Sequence, residues 1–288
     1  MNFVCFNGEI IEKNKVPFDQ VSRAFKFGDG LFETIRIFNG HPVYLDAHYK
    51  RLFKGMSNLQ LEYNESFSSD FITQQISSLI SVCNIANGGK VRLSIFRTGE
   101  GAYSPLLNDI SFLIEVNSLN DNEYVLNKRG LNIDLYNDLT KSTNFLSSFK
   151  TSNSILYVLA SIYAKKNNLD DILIINNDGN IIESTNSNIF ISINGVLYTP
   201  PLSEGCIGGI MRMKLINLAL TNKIPVYENK IKPQHLISAD EVLLTNTING
   251  VRWIGKYKEK RYFNSLARLF TDALNEDIVN YHQDLMEN

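Results

Sequence analysis

The stretch that decides the fold is DILIINNDGNIIESTNSNIFISINGVLYTP, residues 171–200. It contains four short runs rich in β-branched and aromatic residues, a composition typical of β-strands. Asp178-Gly179 and Asn194-Gly195 separate these runs in the manner of tight hairpin turns. Strands this short, joined by turns, predict a barrel-like or sandwiched sheet and argue against a doubly wound one.

The residues before this stretch predict a unit of another kind. Hydrophobic alternation, with Asn-Gly turn signals at residues 7–8 and 39–40, indicates antiparallel strands. Two helical patterns follow, and the strand-like segments KVRLSIF and DISFLIEV come after them. The polar segment NSLNDNEY at 117–124 is the best linker candidate. We therefore predict an α+β fold, with a small N-terminal α/β domain over 1–118 and a larger, barrel-like β domain with helices over 119–288.

Composition limits the classes of function. The chain has 288 residues, 44% hydrophobic and 20% charged, with a formal net charge of −2. Interspersed charges do not predict a surface for nucleic acid or for an anionic membrane, and no apolar run is long enough to span a bilayer. The N-terminal residues show no secretory signal and the three cysteines form no disulfide framework, so a reduced, cytoplasmic protein is expected. The scattered cysteines and histidines predict no metal site.

One lysine in the second half is a candidate reagent. Lys150 stands in SSFKTSNS, between small hydroxyl residues and an apolar, helix-period segment. Judged alone, such a lysine is more often a solvated charge at the start of a helix. Burial beside an apolar segment would instead favour a neutral, nucleophilic amine.

Two further features could act on the same ligand. SEGCIGGIMR, residues 203–212, places glycines in a loop that opens a helix, where backbone N–H groups and the helix dipole can bind a phosphate. A plain helix N-terminus explains it equally well. Glu183 leads ESTNSNIF between two apolar strands, either as a solvated strand end or as a buried carboxylate that needs a cationic partner. Pyridoxal phosphate (PLP) requires an amine, phosphate donors and an anion at its ring nitrogen, so PLP is our cofactor hypothesis.

Ordered motifs along nearly the whole chain resemble those of the class IV aminotransferase family, the fold-type IV PLP enzymes. Besides the Lys150 loop, they are SRAFKFGDGLFETIRIFNG (22–40), LDAHYKRL (45–52), IIESTNSNIF (181–190), TPPLSEGCIGGIMR (199–212) and ADEVLLTNT (239–247). The resemblance implies a two-domain fold-type IV architecture and small-molecule substrates. It also implies a homodimer, with the active site between the two domains.

The resemblance also implies roles for particular residues. Lys150 would bind PLP covalently and then move protons at the substrate α-carbon. Glu183 would lie against the pyridine nitrogen, and Arg51 would bind the phosphate. The other implied cofactor-binding residues are Ile210 and Met211, through their N–H groups, with Thr247 and Asn188. The implied substrate-binding residues are Arg92, Arg97 and Phe32.

Three activities within the family remain open: 4-amino-4-deoxychorismate lyase, branched-chain aminotransferase and D-amino acid aminotransferase. GIMR, TNT and FRTGEGAYS resemble the lyase. Ile155 stands where branched-chain enzymes tend to have tyrosine, and residues 97–105 lack the Arg-x-His clamp of D-amino acid aminotransferases. We therefore predict the lyase, which forms 4-aminobenzoate and pyruvate on the folate route. The alternative is an aminotransferase for branched-chain or D-amino acids, with 2-oxoglutarate as amino acceptor.

Pocket charge separates these activities physically. Aminodeoxychorismate carries two carboxylates, which the planar forks of Arg92 or Arg97 would suit. A branched-chain site needs an apolar wall and a clamp for one carboxylate. Because the two arginines differ by an odd number along one strand, we expect them to face opposite ways.

Overall fold

The computed structural model describes residues 2–17 and 22–287. The chain divides by its contacts into two compact units. Unit 1 comprises Met1–Glu123, Phe149–Asn153 and Ile278–Asn288, and unit 2 comprises Tyr124–Ser148 and Ser154–Asp277. The predicted domain division between residues 118 and 119 stays a prediction.

Seven α-helices lie within the described residues. They are α1 (Ser22–Phe27), α2 (Leu45–Asn58), α3 (Ser69–Val82), α4 (Ile155–Lys166), α5 (Ile210–Thr221), α6 (Pro233–Ser238) and α7 (Ser265–Glu287). Short 3-10 helices cover Lys13–Lys15 and Leu202–Glu204. The sequence patterns predicted α2, α3, α4 and α5. The helices α1 and α6 have 6 residues each and are too short to show a helical period.

Unit 1 is built on a six-stranded antiparallel sheet. Its strands are β1 (Phe3–Phe6), β2 (Glu9–Glu12), β3 (Gly30–Phe38), β4 (His41–Pro42), β5 (Gly89–Arg97) and β6 (Ile110–Ser118). Their order is β2-β1-β6-β5-β3-β4. The strand β4 has only 2 residues, and α2 begins shortly after it, at Leu45.

The two faces of this sheet differ in character. On β5, Val91, Leu93 and Ile95 are fully buried, whereas Lys90 and Arg92, which alternate with them along the strand, are exposed. Helices α2 and α3 add buried stripes to the same core. The side chains they contribute include Leu52, Met56, Ile72, Ile76 and Leu79. The opposite face of the sheet is therefore available for polar chemistry.

Unit 2 contains a nine-stranded sheet. Its strands are β7 (Leu131–Lys141), β8 (Asp171–Asn176), β9 (Ile181–Ser184), β10 (Asn188–Ile193), β11 (Val196–Thr199), β12 (Val226–Glu228), β13 (Glu241–Asn246), β14 (Gly250–Tyr257) and β15 (Lys260–Arg261). The order is β12-β11-β10-β13-β14-β7-β8-β9, and β15 pairs with β14.

This sheet closes on itself, because β9 also pairs with β10. The resulting ring, β10-β13-β14-β7-β8-β9, encloses a core of aliphatic side chains that includes Ile133, Leu173, Ile189 and Leu244. The predicted α+β fold with a barrel-like second half is confirmed.

Candidate active site

Lys150 is held against the beginning of β3 in unit 1. The Phe32 N–H donates to the Lys150 carbonyl at 2.8 Å, and the Ser152 N–H donates to the Gly30 carbonyl at 2.9 Å. Leu31 and Thr151 form an antiparallel bridge between these two bonds. The pairing explains why α4 begins only at Ile155, after the extended segment that carries Lys150. It also makes the lysine segment an extended, fixed piece of backbone.

The Lys150 ammonium lies over an aromatic ring that also meets an arginine. Its Nζ is 4.6 Å from the centroid of Phe32, and Cζ of Arg92 is 3.9 Å from the same centroid. Both contacts are within the range of cation–π attraction. Two cations beside one ring, on the face of the sheet opposite the core, form a local positive site that suits an anionic ligand.

Arg97 faces the other way, which confirms that the two arginines of β5 point to opposite sides. Its side chain is buried, and its Nε donates to the Asp29 carboxylate at 3.0 Å. Its other nitrogens donate to the carbonyls of Leu59 and Gln60 and to Oδ1 of Asn108. These contacts give Arg97 a structural role, and its predicted part in substrate binding stays a prediction.

Arg51 is paired with a buried carboxylate. Its Nε donates to Oε1 of Glu33 at 2.8 Å, and its Nη2 donates to Oε2 at 2.5 Å. Nδ1 of His48 lies 2.7 Å from the same Oε2. The pKa of Glu33 is held at about 2, because the charge of Arg51 and the hydrogen bonds from Arg51 and His48 outweigh the cost of burial. The sequence motifs pointed to Arg51 alone, and its predicted phosphate contact stays a prediction.

Glu183 is a buried carboxylate of β9 in unit 2, with 3% of its surface exposed. Its Oε1 accepts from Lys141 Nζ and from the Tyr157 hydroxyl, both at 2.7 Å, and its Oε2 accepts from the Ile207 N–H at 2.8 Å. Burial, together with the charge of Glu183, raises the pKa of Tyr157, so that hydroxyl stays protonated and donates. The expected buried carboxylate is therefore present, and its cationic partner within this unit is Lys141.

Sequence reasoning missed Lys141 and Tyr157. Lys141 is the last residue of β7 and lies 42 positions from Glu183 along the chain. Tyr157 is one of several aromatic residues in an apolar helix. Neither residue stands in a motif, so only the fold brings these donors to the carboxylate.

The glycine loop of unit 2 leads into α5 without a side-chain cap. Gly209 is the N-cap, and a Cβ built there would overlap Oδ1 of Asn188. The Asn188 Nδ2 donates to the Ile207 carbonyl at 2.8 Å, which holds the loop in place. The first N–H groups of a helix, here those of Ile210 and Met211, have no acceptor within the helix. Such N–H groups, together with the positive end of the helix dipole, are suited to binding an anion.

Two threonines belong to β13 and to the turn that follows it. Asn188 of β10 pairs with Thr245 of β13, whose buried Oγ1 has no hydrogen-bond partner among the described residues. Thr247 follows β13, and its carbonyl accepts from the Tyr124 hydroxyl at 3.3 Å. An unpartnered buried hydroxyl, an uncapped helix and a buried carboxylate within one unit fit the phosphate and the ring nitrogen of PLP.

Comparison with known proteins agrees with this chemistry. The chain matches the class IV amino-transferase family over residues 30–257. It is 27% identical to a D-alanine aminotransferase of Bacillus licheniformis over 252 residues, which cover 85% of this chain and 84% of the relative. It is 26% identical to an aminodeoxychorismate lyase of Bacillus subtilis strain 168 over 266 residues, which cover 90% of this chain and 88% of the relative.

A solved structure supports the same fold. A branched-chain amino acid aminotransferase from T.th., in complex with N-(5′-phosphopyridoxyl)-L-glutamate, has a TM-score of 0.83 at 19% identity, with 94% of this chain and 92% of that chain covered. The chain thus belongs to the class IV amino-transferase family and is a PLP-dependent enzyme that acts on small molecules. The predicted family, enzyme class and cofactor are confirmed. Over residues 2–17 and 22–287, the helices are too short or too polar to cross a membrane.

Proposed function

We propose that this enzyme is a 4-amino-4-deoxychorismate lyase. The observation that carries the proposal is the pair of cations at Phe32, because Arg92 supplies a carboxylate-binding fork beside the Lys150 amine. A substrate with two carboxylates gains more from such a site than an amino acid with an aliphatic side chain. The likeness to the Bacillus subtilis lyase along 90% of the chain is compatible with this activity.

The chain's own residues have distinct tasks in this reaction. When bound, PLP withdraws electrons from the carbon that bears the substrate's amino group. Lys150 would hold the cofactor covalently until the substrate's amino group takes its place, and the freed Lys150 amine would then take the proton from that carbon. The C–O bond to the enolpyruvyl group would then break, and the six-membered ring of the substrate would become aromatic. The enolpyruvyl group leaves with the bond's electron pair and takes up a proton to become pyruvate.

Other residues hold the cofactor. Glu183, which is paired with Lys141, would lie at the ring nitrogen. The phosphate would be held by Arg51, by the N–H groups at the start of α5 and by Thr247. Asn188 acts indirectly, since it orients the glycine loop through the Ile207 carbonyl.

The aminotransferase alternative uses the same groups. A specific observation favours it: the D-alanine aminotransferase of Bacillus licheniformis is as similar to this chain as the lyase is, at 27% identity. In transamination Lys150 would return the proton to the cofactor side, and 2-oxoglutarate would accept the amino group. A single carboxylate clamp would then be sufficient.

We expect purified enzyme supplied with aminodeoxychorismate to form equal amounts of 4-aminobenzoate and pyruvate. Parallel assays with leucine or D-alanine and 2-oxoglutarate should form glutamate at least about tenfold more slowly, because leucine and D-alanine lack a second carboxylate.

The Arg92→Gln variant should raise KM for aminodeoxychorismate about 10- to 100-fold, the size of one lost charged hydrogen bond. Product formation is followed by absorbance and chromatography.

Lys90→Gln is the matched control for that variant, since Lys90 is exposed on the same strand and on the same face. It should leave KM within about twofold, as is usual for a surface substitution. Glutamate formation without any 4-aminobenzoate would reject the lyase in favour of the alternative.

We also propose that the enzyme is a homodimer and is cytoplasmic. The outer side of α4 supports self-association, because an uncharged stripe of exposed apolar residues runs along it: Ile155, Val158, Leu159 and Ile162. The inner side of α4 is apolar too, and a helix that is apolar on both sides is typically buried in an assembly. The three cysteines are free, as in a reducing compartment. Light scattering on the eluted protein should give about twice the chain mass of 32.7 kDa, and a monomer mass would contradict the dimer.

A further inference from the structure

Glu33 and His48 are buried ionisable residues to which the proposed reaction gives no task. They come from β3 and α2, two regular elements that pack together in unit 1. Only 2% of Glu33 and 1% of His48 are exposed. A buried charge and a buried imidazole at this position need a reason, because each is costly to desolvate.

His48 acts as a neutral donor to Glu33. Burial lowers the pKa of His48, and the charges of Arg51 and Lys150 lower it further, although Glu33 opposes them. A carboxylate oxygen can only accept, so the hydrogen of the neutral ring must be on Nδ1, which is 2.7 Å from Oε2. Nε2 then has only a lone pair, and it has no hydrogen-bond partner among the described residues.

The hydrogen bonds join His48 to Arg51 through one carboxylate. Oε2 of Glu33 takes donors from both His48 and Arg51, and Oε1 takes the Nε of Arg51. His48 and Arg51 are three residues apart on α2 and therefore lie on the same side of the helix. The carboxylate cannot turn without losing a bond to one of them, so its plane fixes the plane of the guanidinium.

We infer that His48, acting through Glu33, is a positioning residue that orients Arg51 for the phosphate of the cofactor and so selects PLP over its unphosphorylated form. The inference rests on the phosphate contact proposed for Arg51. Glu33 meets the guanidinium along its Nε and Nη2 edge and so fixes the plane of the Arg51 side chain. An arginine fixed in this way loses little side-chain entropy when the phosphate binds.

The test compares the binding of PLP and of pyridoxal, which lacks the phosphate, to cofactor-free enzyme. His48→Leu removes the hydrogen-bond donor and puts an apolar side chain of similar size in its place. His48→Asn retains an N–H donor near the position of Nδ1. We expect His48→Leu to raise the Kd of PLP about 10- to 100-fold, the size of one charged hydrogen bond. Its Kd for pyridoxal should stay within about twofold, and His48→Asn should restore PLP binding to within about threefold of the unaltered enzyme.

His41→Leu is the control, because His41 is an exposed histidine of the same unit, on β4. It should change neither Kd, and thermal melting checks that every variant is folded. Equal losses for PLP and pyridoxal in His48→Leu would overturn the inference, since a general structural role predicts that result. A PLP affinity that is unchanged in His48→Leu would also overturn it.

Arg51→Met separates this inference from the phosphate assignment on which it rests. If Arg51→Met weakens PLP binding while His48→Leu does not, the phosphate contact stands and the positioning role is rejected. If Arg51→Met leaves PLP binding unchanged, the phosphate contact itself is rejected, and the positioning role with it. Selective loss of PLP in both variants, with rescue by His48→Asn, supports both statements.

Discussion

The Lys150→Ala variant is expected to lose covalent cofactor binding and catalysis together, with turnover falling at least about 10³-fold. The physical reason is that one amine would have two tasks in the proposed reaction: it would be the nucleophile that attaches the cofactor and the base that takes the substrate proton. Alanine supplies neither group. Borohydride treatment followed by peptide mass analysis should attach the cofactor to Lys150 in the unaltered enzyme and to no peptide in the variant.

The control for this experiment is Lys165→Ala, at the exposed end of α4. It should retain the adduct and full turnover. The alternative amine is Lys141, which the structure places against Glu183 in unit 2. An adduct that maps to Lys141, or turnover that survives in Lys150→Ala, would remove Lys150 from its assigned role.

Local chemistry explains how much of the fold could be predicted from the sequence. Asn194 and Gly195 both have positive φ, at 51° and 77°, as the hairpin turn predicted from that dipeptide requires. Such turns and the strand periodicity are properties of neighbouring residues, so they are visible without the fold. The short helix α6 was missed because 6 residues give no clear period.

The site was less predictable because its contacts join distant residues. Nothing in the sequence around Lys150 shows that its carbonyl pairs with the Phe32 N–H, more than a hundred positions away. Arg97 and Arg92 are equivalent as residue types, and only their pairing partners reveal that one is structural. The alternation of the strand did predict that they face opposite ways. The Glu183–Lys141 pair also joins distant residues, since it links β9 to β7 across the intervening strand β8 of the barrel.

That pair underlies the second large effect. We expect Glu183→Gln to lower kcat about 10²- to 10³-fold, because a neutral amide no longer stabilises a protonated ring nitrogen. The substitution should also destabilise unit 2. Glu183 accepts from Lys141, Tyr157 and the Ile207 N–H, and the NH₂ of glutamine would face one of these donors. Breaking a buried ion pair in this way typically costs about 3–5 kcal/mol.

A double variant separates the two effects. In Glu183→Gln with Lys141→Met the stranded ammonium is gone, so urea unfolding should show recovery of much of the lost stability, as is usual when a buried ion pair is replaced as a whole. The value of kcat should stay low, because the carboxylate proposed to stabilise the ring nitrogen is still missing. If kcat instead recovered together with stability, the effect of Glu183→Gln would be structural only, and the role at the ring nitrogen would have to be assigned to another residue.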